Sequence, residues 1–377
     1  MASKRWIVTR DNAAASDRAA AKAVFYHCIS RVVDRKLVFG PDEKEKFRTF
    51  MRMQENFAGC RVVSYCLMSN HIHLLIEVPA APAGGFSDEQ LLERLRAIYS
   101  EAYVATVALE LAEARKLVAG SLAKEGLVVA RIHSRFTYRM HDLSEFMKTL
   151  MQRFTKWFNR THSRQGNLWE DVFKSVIVED GAAAKTVAAY IDLNPVRAGI
   201  AADPADYRWS SYGEAIGGGA KGNGKKARAG LVRALRAHQR VEADAAFWLN
   251  DVSREYRKLL MAGAAGKTTE SVGREGKTVM KTLRKGMSAT GAEREKARAG
   301  EISLGKMLRC RVRYFTDGAV IGSRSFVNEA FMSARERFGP KRKDGARKLK
   351  GDAAPANGTL WSIRDLRKNV VGTPPTP

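Results

Sequence analysis

The chain has 377 residues, with 65 Lys and Arg set against 40 Asp and Glu, for a formal charge of +25. No run of eighteen apolar residues occurs and the first residues lack the apolar core of a secretion signal, which argues against a helical membrane protein and predicts a soluble, cytoplasmic one. Cys28, Cys60, Cys66 and Cys310 form no CxxC pair and no zinc-ligand spacing, so they read as reduced thiols rather than a disulfide or zinc framework.

A basic excess of this size points to a polyanionic partner, in the first place nucleic acid. The charge is uneven: +5 over residues 1–220 and +20 over residues 221–377. The length allows two or three domains. A leader over 1–23 precedes Val24 to Arg31, which is short, apolar and β-rich and predicts a buried strand. Beyond Pro41, Phe47, Phe50, Met51 and Phe57 recur at helical spacing. Arg61 to Leu67 is a second strand, and Met68-Ser69-Asn70 a tight turn into Asn70-His71-Ile72-His73-Leu74-Leu75-Ile76-Glu77-Val78.

Alternation on that third strand puts His71 and His73 on one face and Ile72, Leu74, Ile76 and Val78 on the other. Two imidazoles so spaced can converge on one metal ion; the bland alternative is a pair of half-buried strand histidines. The order strand, helix, hairpin predicts an α+β fold, an antiparallel sheet with helices on one face.

A helical insertion is expected at about 84–140, where Ser87 and Gln90 have capping-box spacing. A helix over 144–158 then carries Phe146, Met147, Leu150, Met151, Phe154 and Phe158 as a core stripe, with Lys148, Arg153, Lys156 and Arg160 as a basic face able to track phosphates. Val172 to Val178 reads as another strand. The next helix, from Ala183, ends about Asn194 because Pro195 disfavours helical geometry before it. Tyr190 and Asn194, four apart, share a face of that helix.

Asn70 to Leu74, Leu168-Trp169 with Phe173-Lys174-Ser175, and Tyr190 to Gly199 (Tyr-Ile-Asp-Leu-Asn-Pro-Val-Arg-Ala-Gly) together resemble the single-tyrosine HUH transposases, within them most closely the REP-associated tyrosine transposases. The resemblance runs from about Phe25 to Tyr212. It implies a ferredoxin-like sheet, His71 and His73 as ligands of Mg²⁺ or Mn²⁺, Asn194 as a third ligand, and Tyr190 as a nucleophile forming a 5′-phosphotyrosine on single-stranded or hairpin DNA. Lys174 and Arg197, inside the motifs, are expected to contact DNA. Two departures are the long insertion and an asparagine at 194 where compact members carry glutamine. Members of the family act as monomers or homodimers, and either state is compatible with this chain.

Tyr26, Tyr65, Tyr99, Tyr103, Tyr207 and Tyr212 are expected to pack with satisfied hydroxyls. His27, His133, His141, His162 and His238 have no neighbour at ligand spacing; His27 is the least dismissible of them, on a strand expected beside the site. After a catalytic domain over 24–215, a basic linker region is expected over 216–300, with no compact core from 263 to 300. A small DNA-binding module follows over 301–350: a hairpin about Thr316-Asp317-Gly318, a helix capped by Ser325 and running to Phe338, and the phosphate-contacting run Lys341-Arg342-Lys343. A tail over 351–377 is expected to be flexible. A different functional class also fits: a DNA-binding protein that keeps the fold but regulates or tethers without cutting.

Overall fold

The computed structural model describes residues 23–116, 122–217, 224–236, 245–248, 250–264, 267–272, 278–284, 319–338, 340, 342–348 and 360–363. Four strands form the centre of the fold: β1 (Val24–Arg31), β2 (Arg61–Leu67), β3 (His71–Val78) and β4 (Lys174–Val178). They lie in the order β2-β3-β1-β4 and every neighbouring pair is antiparallel. The predicted α+β class and antiparallel central sheet are what the chain adopts.

Period-two alternation sorts the side chains of this sheet into two cores. Tyr26, Cys28, Ile72, Leu74 and Ile76 face one of them, where helix α1 (Pro41–Ala58) lies with Phe47, Met51 and Phe57. The insertion folds as α2 (Asp88–Arg96), α3 (Glu101–Lys116) and α4 (Leu122–Thr137), and Leu91, Leu95, Val107 and Phe136 extend the same core. Ser87 and Gln90 form the predicted capping box, and Arg115 and His133 both donate to Asp88, tying the three helices together. Helix α5 (Leu143–Thr161) completes this layer. It buries Leu143, Phe146, Met147, Leu150, Met151, Phe154 and Phe158, each worth about 1.5–3 kcal/mol of transfer free energy.

Helices were expected on one face only; they cover both. Phe25, Val63, Leu75, Val176 and Val178 face a second core with α6 (Ala182–Asp192), the short α7 (Asn194–Arg197), α8 (Ser211–Gly217), α9 (Lys225–Arg236) and α10 (Asn250–Ala264). The physical reason is that the alternate positions of β1 and β4 are apolar too, so the face bearing the histidines has to be covered as well. Helix α9 sits directly on β2: a Cβ built on Gly230 would lie 2.6 Å from the Val63 carbonyl oxygen, so only glycine permits this approach.

Strands β5 (Lys267–Val272) and β6 (Thr278–Arg284) pair as a hairpin apart from the main sheet, inside the stretch where no compact element was expected. Further on, β7 (Val320–Gly322) pairs parallel to β4, and β9 (Trp361–Ile363) and β8 (Arg347–Lys348) continue the sheet from it. The region read as a separate module therefore widens the central sheet, and its last strand falls in the segment read as tail. Helix α11 (Arg324–Ser333) is capped by Ser323, not Ser325, because the Ser323 hydroxyl accepts from Phe326 N while its own N–H and O–H are held by Glu179; it ends five residues before Phe338. Residues 1–22 of the leader and the Thr316-Asp317-Gly318 turn lie outside the described residues.

Candidate active site

The β3 backbone turns His71 and His73 to the second face, and the β1–β3 register brings Arg31 opposite His71 and Ile29 opposite His73. The two imidazole centroids are 5.1 Å apart with planes at 82°. Helix α6 crosses this face and sets the Tyr190 ring edge-on to His73, centroid to centroid 6.0 Å. The phenol thus packs against His73, which in turn lies beside His71. Tyr190 is 1% exposed, so a phosphate reaches its oxygen only when the cover over the ring opens.

Two further groups, His27 and the expected DNA contact Arg197, join them. His27, fully buried on β1, places Nε2 3.0 Å from His73 Nδ1 and its ring 6.0 Å from Tyr190. Arg197, on α7, lays its guanidinium over the Tyr190 ring at 5.0 Å, with Nη1 buried and lacking a hydrogen-bond partner. The period of β1 hinted at His27; Arg197, expected among the DNA contacts, is seven residues beyond Tyr190, so the near-continuous helical path through Leu193 returns it to the face of that ring.

Burial, with Arg31 nearby, holds His71 down to about 4. Burial pushes His73 well below the usual imidazole range, and His27, His71, Arg31 and Arg197 add to it. Both rings are neutral at pH 7, the form with a lone pair to give. Asn70 Nδ2 donates to Arg35 O, which leaves its Oδ1 to accept from His71 Nδ1–H at 2.7 Å. The lone pair of His71 is therefore on Nε2. Asn194 spends its amide nitrogen on the carbonyls of Tyr190 and Ile191, both at 3.2 Å, so its oxygen is the atom able to ligate; no hydrogen bond joins it to either imidazole.

Among the described residues no three His, Cys, Asp or Glu side chains converge as a closed metal cluster. The two neutral imidazoles are the groups on this face able to offer lone pairs to a divalent ion.

The structure disperses the predicted DNA contacts. Lys148 pairs with Glu145, Arg153 donates to Ile98 O and stacks on Phe50, and Lys156 and Arg160 are exposed, all on α5, across the sheet from the histidines. Lys174 is exposed opposite Ile29, on the histidine face. Arg342 holds Asp344 and Gly345 carbonyls and covers Phe338, Lys343 is exposed, and Lys341 lies outside the described residues. The competing aromatics pack as expected where their bonds are seen: Tyr65 donates to Glu214, Tyr207 to Leu67 O, and Tyr99 accepts from Arg139. His133 and His162 face Asp88 and Glu43, and among the described residues no helix is long and apolar enough to cross a membrane.

Residues 20–85 match the family model described as "Transposase IS200 like". That span contains β1, α1, β2 and β3, and so His27, His71 and His73. No protein of curated function matches the chain. A solved structure described as "Structure of the REP associates tyrosine transposase bound to a REP hairpin" aligns at 11% identity over 52% of this chain and 81% of the other, with a TM-score of 0.32, too loose an overlay to argue from.

Proposed function

We propose, from the match of residues 20–85 to the family model described as "Transposase IS200 like" and from the site geometry, that the chain is a single-tyrosine DNA strand transferase: it cleaves and rejoins single-stranded or hairpin DNA through a phosphotyrosine on Tyr190. The observation that carries this reading is the packing of Tyr190 against His73, with His71 beside it and Arg197 over the phenol.

In this reading His71 Nε2, His73 and the Asn194 oxygen hold a Mg²⁺ or Mn²⁺. When bound, such an ion neutralises the nonbridging oxygens of the scissile phosphate and orients it. The chain's own groups do the rest. Arg197 puts a half-buried cation where negative charge builds on the phenol and phosphate. Tyr190 Oη attacks phosphorus; the Oη–P bond forms as the P–O3′ bond breaks. The phenol proton passes to solvent, and the departing 3′ oxygen takes one up as a hydroxyl. The bond energy is retained in the phosphotyrosine, so the reverse attack by a 3′-hydroxyl rejoins DNA without ATP. Lys174 and Arg31, exposed on the same face, supply phosphate contacts.

The test is a denaturing gel with end-labelled hairpin and unpaired oligonucleotides. A protein–DNA adduct is expected with Mn²⁺ or Mg²⁺, none with chelator, and none with Tyr190→Phe. A shifted native band with no adduct under any of these conditions would instead favour the non-catalytic DNA-binding class.

A further inference from the structure

His27 is neither ligand nor nucleophile in this scheme, yet it is the most enclosed polar group of the site. We propose that His27 is a positioning residue: it accepts a hydrogen bond from His73 Nδ1 and so holds His73 in the tautomer that turns the Nε2 lone pair toward a divalent cation. This rests on the reading of His71 and His73 as metal ligands.

The geometry starts with register. Ile29 is opposite His73 on β3, so His27, two residues earlier on β1, is the diagonal neighbour on the same face. Diagonal pairs are within reach of ring side chains. The rings meet nearly end to end and close to coplanar, with centroids 5.2 Å apart and planes at 21°, which puts His27 Nε2 3.0 Å from His73 Nδ1. On its other side β1 pairs with β4, Val176 opposite His27, and the edge of Tyr190 closes the space above.

A neutral imidazole carries one hydrogen and one lone pair. Two such rings joined through one bond have two arrangements. If His27 Nε2–H donates into His73 Nδ1, His73 bears its hydrogen on Nε2 and has no lone pair left for a metal. If His73 Nδ1–H donates to His27 Nε2, Nε2 of His73 is a ligand. Only the second serves the site. His71 has the same device from another part of the chain, its Nδ1–H held by Asn70 Oδ1. Each imidazole therefore has an acceptor behind it, the arrangement by which a second group orients a metal-binding histidine.

The test uses the full-length chain. With ¹⁵N-labelled histidine and no metal, NMR is expected to show His73 protonated on Nδ1 in the wild type. His27→Gln, which returns an acceptor oxygen near the same place, is expected to keep that signal and Mn²⁺ affinity within about threefold. His27→Leu is expected to lose the signal and bind Mn²⁺ about 10- to 100-fold more weakly, with its cooperative thermal transition retained. Wild-type His73 protonated on Nε2 would overturn the proposal, as would His27→Leu binding Mn²⁺ like the wild type. Should His27→Leu not fold, the wild-type tautomer and the Gln variant decide. Should the wild type take up no Mn²⁺, the metal reading falls, while the tautomer spectrum still decides the role of His27.

Discussion

Asp192 sits two residues beyond Tyr190, at the end of α6, with no solvent exposure. Its carboxylate accepts from Tyr212 N at 2.9 Å and from the Tyr256 hydroxyl at 2.6 Å, pinning the tyrosine-bearing helix to α8 and α10. Burial pushes this carboxyl up to about 7, against the pull of those donors, from a free-chain value of 3.8. As pH rises from about 4 to about 7, the unfolded chain therefore releases a proton that the native chain retains. Stability is lost across that window and is level above it. The gap of about three pH units corresponds to about 4 kcal/mol, with a slope of about 1.4 kcal/mol per pH unit. Asp192→Asn, neutral at every pH, lacks the slope, whatever constant offset its amide introduces. His71, held down by burial, contributes the opposite slope in both proteins and drops out of the difference. Urea unfolding of both proteins between pH 4.5 and 8.5 measures it. Wild type minus variant is expected to fall up to pH 7 and then flatten; a difference constant across the range would mean an ionised carboxylate throughout and would refute the reasoning.

Arg197→Leu removes the cation over the Tyr190 ring, and adduct formation is expected to slow about 100-fold while the denaturation midpoint moves little, since Nη1 has no partner to lose; an unchanged adduct rate would exclude a role for Arg197 in the attack. Gly213→Ala drives a Cβ to 2.0 Å from the Tyr207 carbonyl oxygen in the loop that closes over β2, with an expected loss of about 1–3 kcal/mol by urea titration. Glu77, buried on β3, holds Arg61 and Arg233. Glu77→Gln is expected to cost about 3 kcal/mol, the lower end for a broken buried pair because Asp180 still holds Arg233, and a thermal midpoint equal to that of the wild type would contradict this.

Local pattern determined much of this protein. Alternation in His71–Val78 is a property of the strand itself, so it put both imidazoles on one face before any tertiary contact was known. The spacing of the α5 stripe and the Ser87 capping box are likewise set within a few residues of chain, whereas α6 ends at Asp192 and Asn194 and Pro195 open the next helical turn, against the expected break at Asn194. Of the motifs that carried the family resemblance, Asn70 to Leu74 lies within residues 20–85, the span that matches the IS200-like transposase model.

Other features depend on which strands become neighbours, and that follows from the balance of burial over the whole chain. His27 meets His73 because β1 inserts between β3 and β4, forty-six residues away in sequence. Helices on both faces, and a sheet widened by residues 320–322 and 361–363, likewise express long-range pairing that a window of sequence does not contain. The neutral state of the imidazoles belongs here as well: side-chain type supplies a group that titrates near neutrality, but only burial in the folded chain, with the nearby arginines, holds it uncharged.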